Sequence, residues 1–293
     1  MTGDAFALET LSVVVPEAAV PAYEAALQTA CRTVGLFRSD DDGRWLLEGV
    51  KPRGEGEAAL AVGLALAAAA TGVQVAPARR DTPAEGWLAR NYESFPEQLI
   101  GRRFAVRGTH LVGAGTPGRM VLTLDAGLAF GSGEHGSTRG CLRALERVAC
   151  RRPRRILDMG CGSGILALAA ARLLHRRVLA VDIEPWSVRV AAGNVGLNRL
   201  GHLVRAVRSD GWVGAAVRAG APYDLVFANI LARPLCAMAR PMRARVAPGA
   251  TVILAGLLAS QVRWVLAAYR RQGFVRDFVL QEGRWATLVL RAP

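Results

Sequence analysis

The sequence predicts an α/β protein: a doubly wound, mostly parallel sheet fills the C-terminal part of the chain, and a smaller α+β module precedes it. Three observations carry this. The apolar run Ile156 to Met159 closes on Gly160-Cys161-Gly162-Ser163-Gly164, which reads as a buried strand, a glycine turn and the start of a helix. About twenty residues later a second apolar run ends in Asp182, at the spacing of a carboxylate that grips a ribose. From there to the C-terminus, near-continuous apolar runs such as Val226-Phe227-Ala228 alternate with helical stretches, as strands covered on both faces require. A chain of 293 residues is long enough to bury one large core and one small one.

The first eighty or so residues follow another order. Leu8 to Val15 reads as a strand, Ala18 to Thr33 as a helix and Gly35 to Arg38 as a weak second strand. The turn Asp40-Asp41-Asp42-Gly43 leads into the strand Arg44 to Val50, followed by a helix over Glu55 to Ala70 and a fourth strand at Val73 to Ala76. That order resembles a ferredoxin-like sandwich, with no catalytic set of its own. A domain at 1–76 that holds a macromolecule is therefore expected, then a connecting region at 77–118 with a short helix around Pro83 to Glu93. Whether that region hinges or packs rigidly is left open by the sequence.

A catalytic domain is expected at 119–293. Its strands are placed at Arg155 to Met159, Val178 to Asp182, Val204 to Arg208, Tyr223 to Ala228 and Thr251 to Ala255, with helices starting near Gly164, Pro185, Gly211, Arg233 and Ser260. Two last strands, Val275 to Leu280 and Trp285 to Leu290, are joined through Glu282-Gly283, so they are antiparallel neighbours.

Composition narrows the class. With 52% hydrophobic and 21% charged residues the chain reads as globular. Its longest apolar run, Ala58 to Ala70, is shorter than the roughly 18 to 20 residues that cross a bilayer. The opening Met1-Thr2-Gly3-Asp4 carries no secretory pattern, and five cysteines form no C-x-x-C pair, so free thiols in the cytoplasm are expected. A net charge of +13 suits a polyanionic neighbour, with weak contact to ribosomal RNA one candidate. Lys51 is the only lysine among the 37 basic residues, an arginine bias that a GC-rich genome also produces.

The glycine spacing selects the ligand. A pyrophosphate usually meets G-x-G-x-x-G, whereas this turn is G-x-G-x-G with Asp158 just before it. A carboxylate there repels a pyrophosphate and attracts an ammonium or sulfonium group inside a poorly hydrated cleft. S-adenosylmethionine carries both cations and a ribose for Asp182. The ligand lies beyond the carboxyl ends of the strands, where Gly160, Gly162, Asp182 and Asn229 also fall. Asn229 has two readings, an acceptor for an incoming amine without the full charge that would hold it as ammonium, or a cap of the next helix. Asp210 has two readings, an acceptor for an adenine amino group or a helix cap before Gly211. In the glycine-rich segment Asp125 to Thr138, Thr138 stands near the start of a helix, able to donate to a ligand carboxylate. The pair Glu134-His135 is either a proton acceptor or a solvent-facing loop pair. No metal site is expected.

That segment, Asp125-Ala126-Gly127-Leu128-Ala129-Phe130-Gly131-Ser132-Gly133-Glu134-His135-Gly136-Ser137-Thr138, resembles the D-x-G-x-A-F-G-T-G-x-H-x-T-T signature of the PrmA family. These are the bacterial methyltransferases of large-subunit ribosomal protein eleven. The similarity continues through Leu157 to Leu166, Val181 to Pro185, Ala228 to Leu235 and Leu254 to Gln261, and more weakly through Trp87 to Pro96. It departs at Ser132 and Ser137, where the family has threonine, and at Gly136, where proline is frequent. The resemblance implies a seven-stranded, Rossmann-like class I methyltransferase domain behind the ferredoxin-like one, with S-adenosylmethionine as cofactor. It implies cofactor contacts at Thr138, Gly160, Asp182 and Asn229, and transfer to the N-terminal α-amine and lysine side chains of that ribosomal protein, free or on the ribosome.

Two rivals are weighed against it. One is a methyltransferase of a release-factor glutamine, a nucleic-acid base or a small molecule; such enzymes usually carry N-P-P-Y or D-P-P-Y, and Asn229-Ile230-Leu231-Ala232 lacks both prolines and the aromatic. The other is a non-catalytic ribosome-binding protein, against which the Gly160, Asp182 and Asn229 set argues.

Overall fold

The computed structural model describes residues 8–31, 33–38, 44–82, 96–111, 113, 115–125 and 135–293. The chain divides into two units, residues 1–94 and 95–293.

In the first unit, β1 (Leu8–Pro16), α1 (Val20–Gln28), β2 (Thr33–Arg38), β3 (Arg44–Pro52), α2 (Glu57–Thr71) and β4 (Ala78–Thr82) follow one another. The strands pair antiparallel in the order β2-β3-β1-β4. The core is apolar: Leu11, Val13 and Val15 of β1 meet Tyr23 and Leu27 of α1 and Leu60 of α2. The helices approach closely because Gly63 faces the backbone of Ala26, where an added Cβ would stand 3.1 Å from the Ala26 Cα. Lys51 is wholly buried and holds Glu9 at 2.7 Å and Glu57 at 2.6 Å; Arg79 completes the cluster from β4. Burying that ammonium is tolerable only because carboxylates and the Glu55 carbonyl, 2.7 Å away, replace its water.

The expected fourth strand at 73–76 is thus corrected to Ala78–Thr82. Its sequence Ala-Arg-Arg-Asp-Thr reads as loop because an edge strand pairs on one side only and can keep charged side chains in water. The region 77–118 is likewise more than a connection. It supplies β4 to the first unit, and β5 (Gln98–Ile100) and β6 (Phe104–Gly108) to the second, where they join β7 (Met120–Leu124) in a three-stranded sheet. The helix expected around Pro83 to Glu93 lies outside the described residues, as do Ala126 to Glu134 of the glycine-rich segment.

The main sheet has seven strands: β8 (Ile156–Met159), β9 (Val178–Asp182), β10 (Val204–Arg208), β11 (Tyr223–Asn229), β12 (Val246–Leu258), β13 (Val275–Glu282) and β14 (Trp285–Arg291). They lie in the order β10-β9-β8-β11-β12-β14-β13, with β14 antiparallel to both neighbours. Around them run α3 (Gly136–Val148), α4 (Ile165–Leu174), α5 (Pro185–Leu197), α6 (Ala215–Gly220), α7 (Ala232–Arg243) and α8 (Val262–Arg270). The strands alternate between two cores: Leu225, Phe227, Ile253 and Val289 face one, and Val226, Ala228, Val252, Leu254, Leu288 and Leu290 face the other. An apolar residue is needed at every position because both faces are covered, which is why period two is absent from these runs.

The order reverses between β8 and β11, since β8 continues to β9 on one side and pairs with β11 on the other. Their carboxyl ends therefore diverge around a crevice, the place where open α/β sheets bind ligands. Among the described residues no helix is long and apolar enough to cross a membrane.

Candidate active site

The turn after β8 takes its shape from three glycines. Gly160, Gly162 and Gly164 have φ of 70°, 52° and 80°, a region where a Cβ is strained. The turn is latched to the next strand by hydrogen bonds from Gly160 and Cys161 N–H to the Val181 carbonyl, at 2.8 and 3.0 Å. Asp182, the last residue of β9, completes the latch: its two carboxylate oxygens accept from Gly162 N–H at 2.9 Å and from Glu184 N–H at 3.0 Å. Each oxygen keeps a further lone pair, so the carboxylate can still accept from two hydroxyls of a ribose.

Asp158 serves the same turn from below. One oxygen accepts from Ala167 N–H at 3.0 Å, capping the first turn of α4, and the other is buried without a hydrogen-bond partner. Burial is the main cause that lifts its pKa to about 7; the Asp182 charge adds to it.

Asn229 closes β11. Its Nδ2 donates to the Thr138 hydroxyl at 3.3 Å, and its Oδ1 is buried with no partner. Thr138, in the first turn of α3, is fully buried and orients this amide. Of the expected site residues, Asn229 is thus bonded to the fully buried Thr138, and Gly162 to Asp182.

Sequence reasoning missed Ile230 and Gly256. The Ile230 side chain lies over Gly160, where an added Cβ would be 2.5 Å from its Cγ2, and the Ile230 backbone abuts Gly256, where a Cβ would be 2.4 Å from its carbonyl oxygen. The three strand ends are thereby locked side by side, and Asn229 is held in register with the turn. A glycine within a strand pattern is the available signal: Gly256 has φ 79° and sits where the β12–β14 register shifts. Gly256→Ala is expected to cost about 2 to 4 kcal/mol, from a left-handed φ and a clash with backbone. Denaturant titration measures it, and an unchanged midpoint would contradict the lock.

His135 precedes α3 with its Nδ1 2.7 Å from the Ser137 hydroxyl and its ring 4.1 Å from that of Trp285. Burial, then the charge of Arg284, lowers its pKa to about 4. It is therefore neutral at pH 7 and holds a proton too weakly to be a strong base. Since the unfolded chain binds that proton near pH 6.5 and the folded one only near 4, stability should fall as pH drops through that window. His135→Gln is expected to flatten the decline in thermal melts between these pH values; an unchanged slope would show that other groups cause it. Gly136, where the family favours proline, faces Trp285 and the Glu282 carbonyl so closely that a Cβ would stand 3.0 Å from each. The partner Glu134 lies outside the described residues. Asp210 makes no side-chain cap to the turn Gly211–Val213, so its carboxylate does not act as the helix cap.

These residues fit S-adenosylmethionine. The Asp182 carboxylate keeps lone pairs for hydroxyls beside a bare glycine backbone, and the Asn229 amide oxygen is an acceptor without a partner; Asp158, expected to face a cation, is instead fully buried beneath the turn, where it caps α4.

Comparisons with known proteins identify relatives of the chain. The family model described as ribosomal protein L11 methyltransferase (PrmA) matches residues 59–293. The ribosomal protein L11 methyltransferase of Bradyrhizobium diazoefficiens is 47% identical over 209 residues, 71% of this chain and 70% of that protein. That of Caulobacter sp. (strain K31) is 38% identical over 263 residues, 89% of this chain and 88% of that protein. Among solved structures, the ribosomal protein L11 methylase of Lactobacillus delbrueckii subsp. bulgaricus matches with a TM-score of 0.58 at 29% identity, covering 66% of this chain and 97% of that one.

Proposed function

The chain belongs to the PrmA family of ribosomal protein L11 methyltransferases, and from that premise we propose that it transfers methyl groups from S-adenosylmethionine to the N-terminal α-amine and lysine side chains of ribosomal protein L11. The observation that carries this reading is the buried, unpartnered Oδ1 of Asn229 at the end of β11. It is a neutral acceptor placed where the strand order reverses, and its orientation is fixed from behind by Thr138.

S-adenosylmethionine supplies an electrophilic methyl group on a cationic sulfur. The chain's own residues have three tasks. Asp182 holds the ribose and, through Gly162 and Glu184, the turn that shapes the pocket. Thr138 and Asn229 form a pair in which the threonine hydroxyl keeps its own proton to donate. Asn229 Oδ1 accepts an N–H of the incoming amine, leaving the nitrogen lone pair free to align about 3 to 3.5 Å from the carbon it attacks.

Protonation is the main obstacle. An α-amine of pKa near 8 is about a tenth neutral at pH 7, but a lysine near 10.4 must give up about 4.6 kcal/mol to lose its proton. A cation already in a dry cleft lowers the amine pKa, so no strong general base is needed. His135, neutral and with a pKa near 4, does not supply one.

The seven-strand order is read as that of a Rossmann-like class I methyltransferase, and residues 1–82 as a ferredoxin-like substrate-recognition domain extended to include β4. Modification of L11 free or on the ribosome, in the cytoplasm and with weak RNA contact, completes the proposal; the charge of +13 supports it. Mass spectrometry of L11 incubated with the protein and S-adenosylmethionine tests it. Successive methyl additions at the α-amine and lysines are expected, and an unmodified L11 would refute the substrate assignment.

A further inference from the structure

At the opposite end of the main sheet, a cavity of about 260 Å³ opens between the loop before β8, the start of β11, β12 and the end of β14. Its lining includes Arg151, Arg152, Arg154 and Arg291 against a single carboxylate, Asp224. That carboxylate is already committed: it accepts from the backbone N–H groups of Arg154 and Arg155 at 2.8 to 2.9 Å.

Two guanidinium groups converge on one neutral atom. Arg151 Nη1 donates to Thr251 Oγ1 at 3.0 Å, and Arg291 Nη1 donates to the same oxygen at 3.1 Å. Thr251 is buried, and its hydroxyl offsets neither charge. Asp277 pairs with the other arm of Arg151, while no ion pair among the described residues reaches Arg152, Arg154 or Arg291. Arg152 also stands at φ 52°, an uncommon conformation for a residue with a Cβ. Like charges gathered round a concave surface leave a positive field that a bound anion relieves.

We infer that this cavity binds a phosphate group. Guanidinium forks donate two parallel N–H groups each, and several of them around one centre match the oxygens of a tetrahedral oxyanion better than the two of a carboxylate. The group comes either from an RNA backbone or from free phosphate. The site shares no residue with the strand-end crevice, so it stands independently of the methyl-transfer reading.

The test compares the full-length chain with its Arg152→Ala/Arg154→Ala variant, both side chains being exposed so that folding is retained. Calorimetry with inorganic phosphate and anisotropy with a labelled RNA duplex at several salt concentrations are the readouts. Phosphate binding at least about tenfold weaker in the variant is expected. If RNA is the source, the duplex also binds more weakly to the variant, its salt slope falls by about 0.9 for each phosphate that is no longer neutralised, and inorganic phosphate competes with it. If free phosphate is the source, duplex binding is the same for both proteins while phosphate binding differs. Equal phosphate binding by both proteins, including none by either, overturns the proposal. S-adenosylmethionine affinity, unchanged in the variant, confirms that the fold is intact.

Discussion

Asp182→Ala is expected to weaken S-adenosylmethionine binding about a hundredfold to a thousandfold, equivalent to about 2.7 to 4 kcal/mol. One carboxylate has two jobs. Its oxygens each accept a backbone N–H, from Gly162 and from Glu184, and each keeps a lone pair that the proposed reading assigns to a ribose hydroxyl. Alanine removes charge-assisted bonds to the ligand and releases the glycine turn at the same time. Asp182→Asn separates the two effects, because an amide keeps one acceptor oxygen: it should retain more of the affinity than alanine does. Calorimetric titration with S-adenosylmethionine decides the matter. An alanine variant that binds as tightly as the parent would mean that the ribose is held elsewhere.

For Asn229→Ala the expected effect is on the chemical step: kcat lower by about a hundredfold to a thousandfold, with cofactor affinity changed only a few-fold. The physical reason is that Oδ1 is buried with no hydrogen-bond partner among the described residues, and on the proposed reading the acceptor amine supplies it. Thr138 loses the donor it receives at 3.3 Å but keeps its place in α3. Asn229→Asp adds a sharper diagnostic. A full negative charge there stabilises the ammonium form of the acceptor, so the rise of rate with pH should move upward by about one unit. Single-turnover rates across pH 6 to about 10 measure both variants. Equal kcat in the alanine variant, or an unshifted profile in the aspartate one, would remove Asn229 from the reaction.

Much of this site could be read in the chain because its residues sit at strand ends, and strand ends are where apolar runs stop. Val178–Asp182 and Val204–Arg208 fall where the runs place them. Glycines at 160, 162 and 164 signal a left-handed turn because side chains are strained in that conformation. The edges were harder to read. β4 is charged, and β5 is only three residues long, so neither shows a pattern that distinguishes it from loop. His135 shows the same limit: whether an imidazole faces water or packs under Trp285 with its pKa near 4 depends on a strand about 150 residues away.

What the sequence determined by itself was periodicity and punctuation: which runs are buried on both faces, where they stop, and that a glycine turn, an acid and an amide stand at three of those stops. Only the tertiary structure decided which stops are neighbours. Strand order is set by pairing between segments far apart in the chain, so no local pattern encodes it. That pairing sets Ile230 between Gly160 and Gly256, leaves the Asn229 oxygen without a partner, and gathers four arginines at the far end of the same sheet.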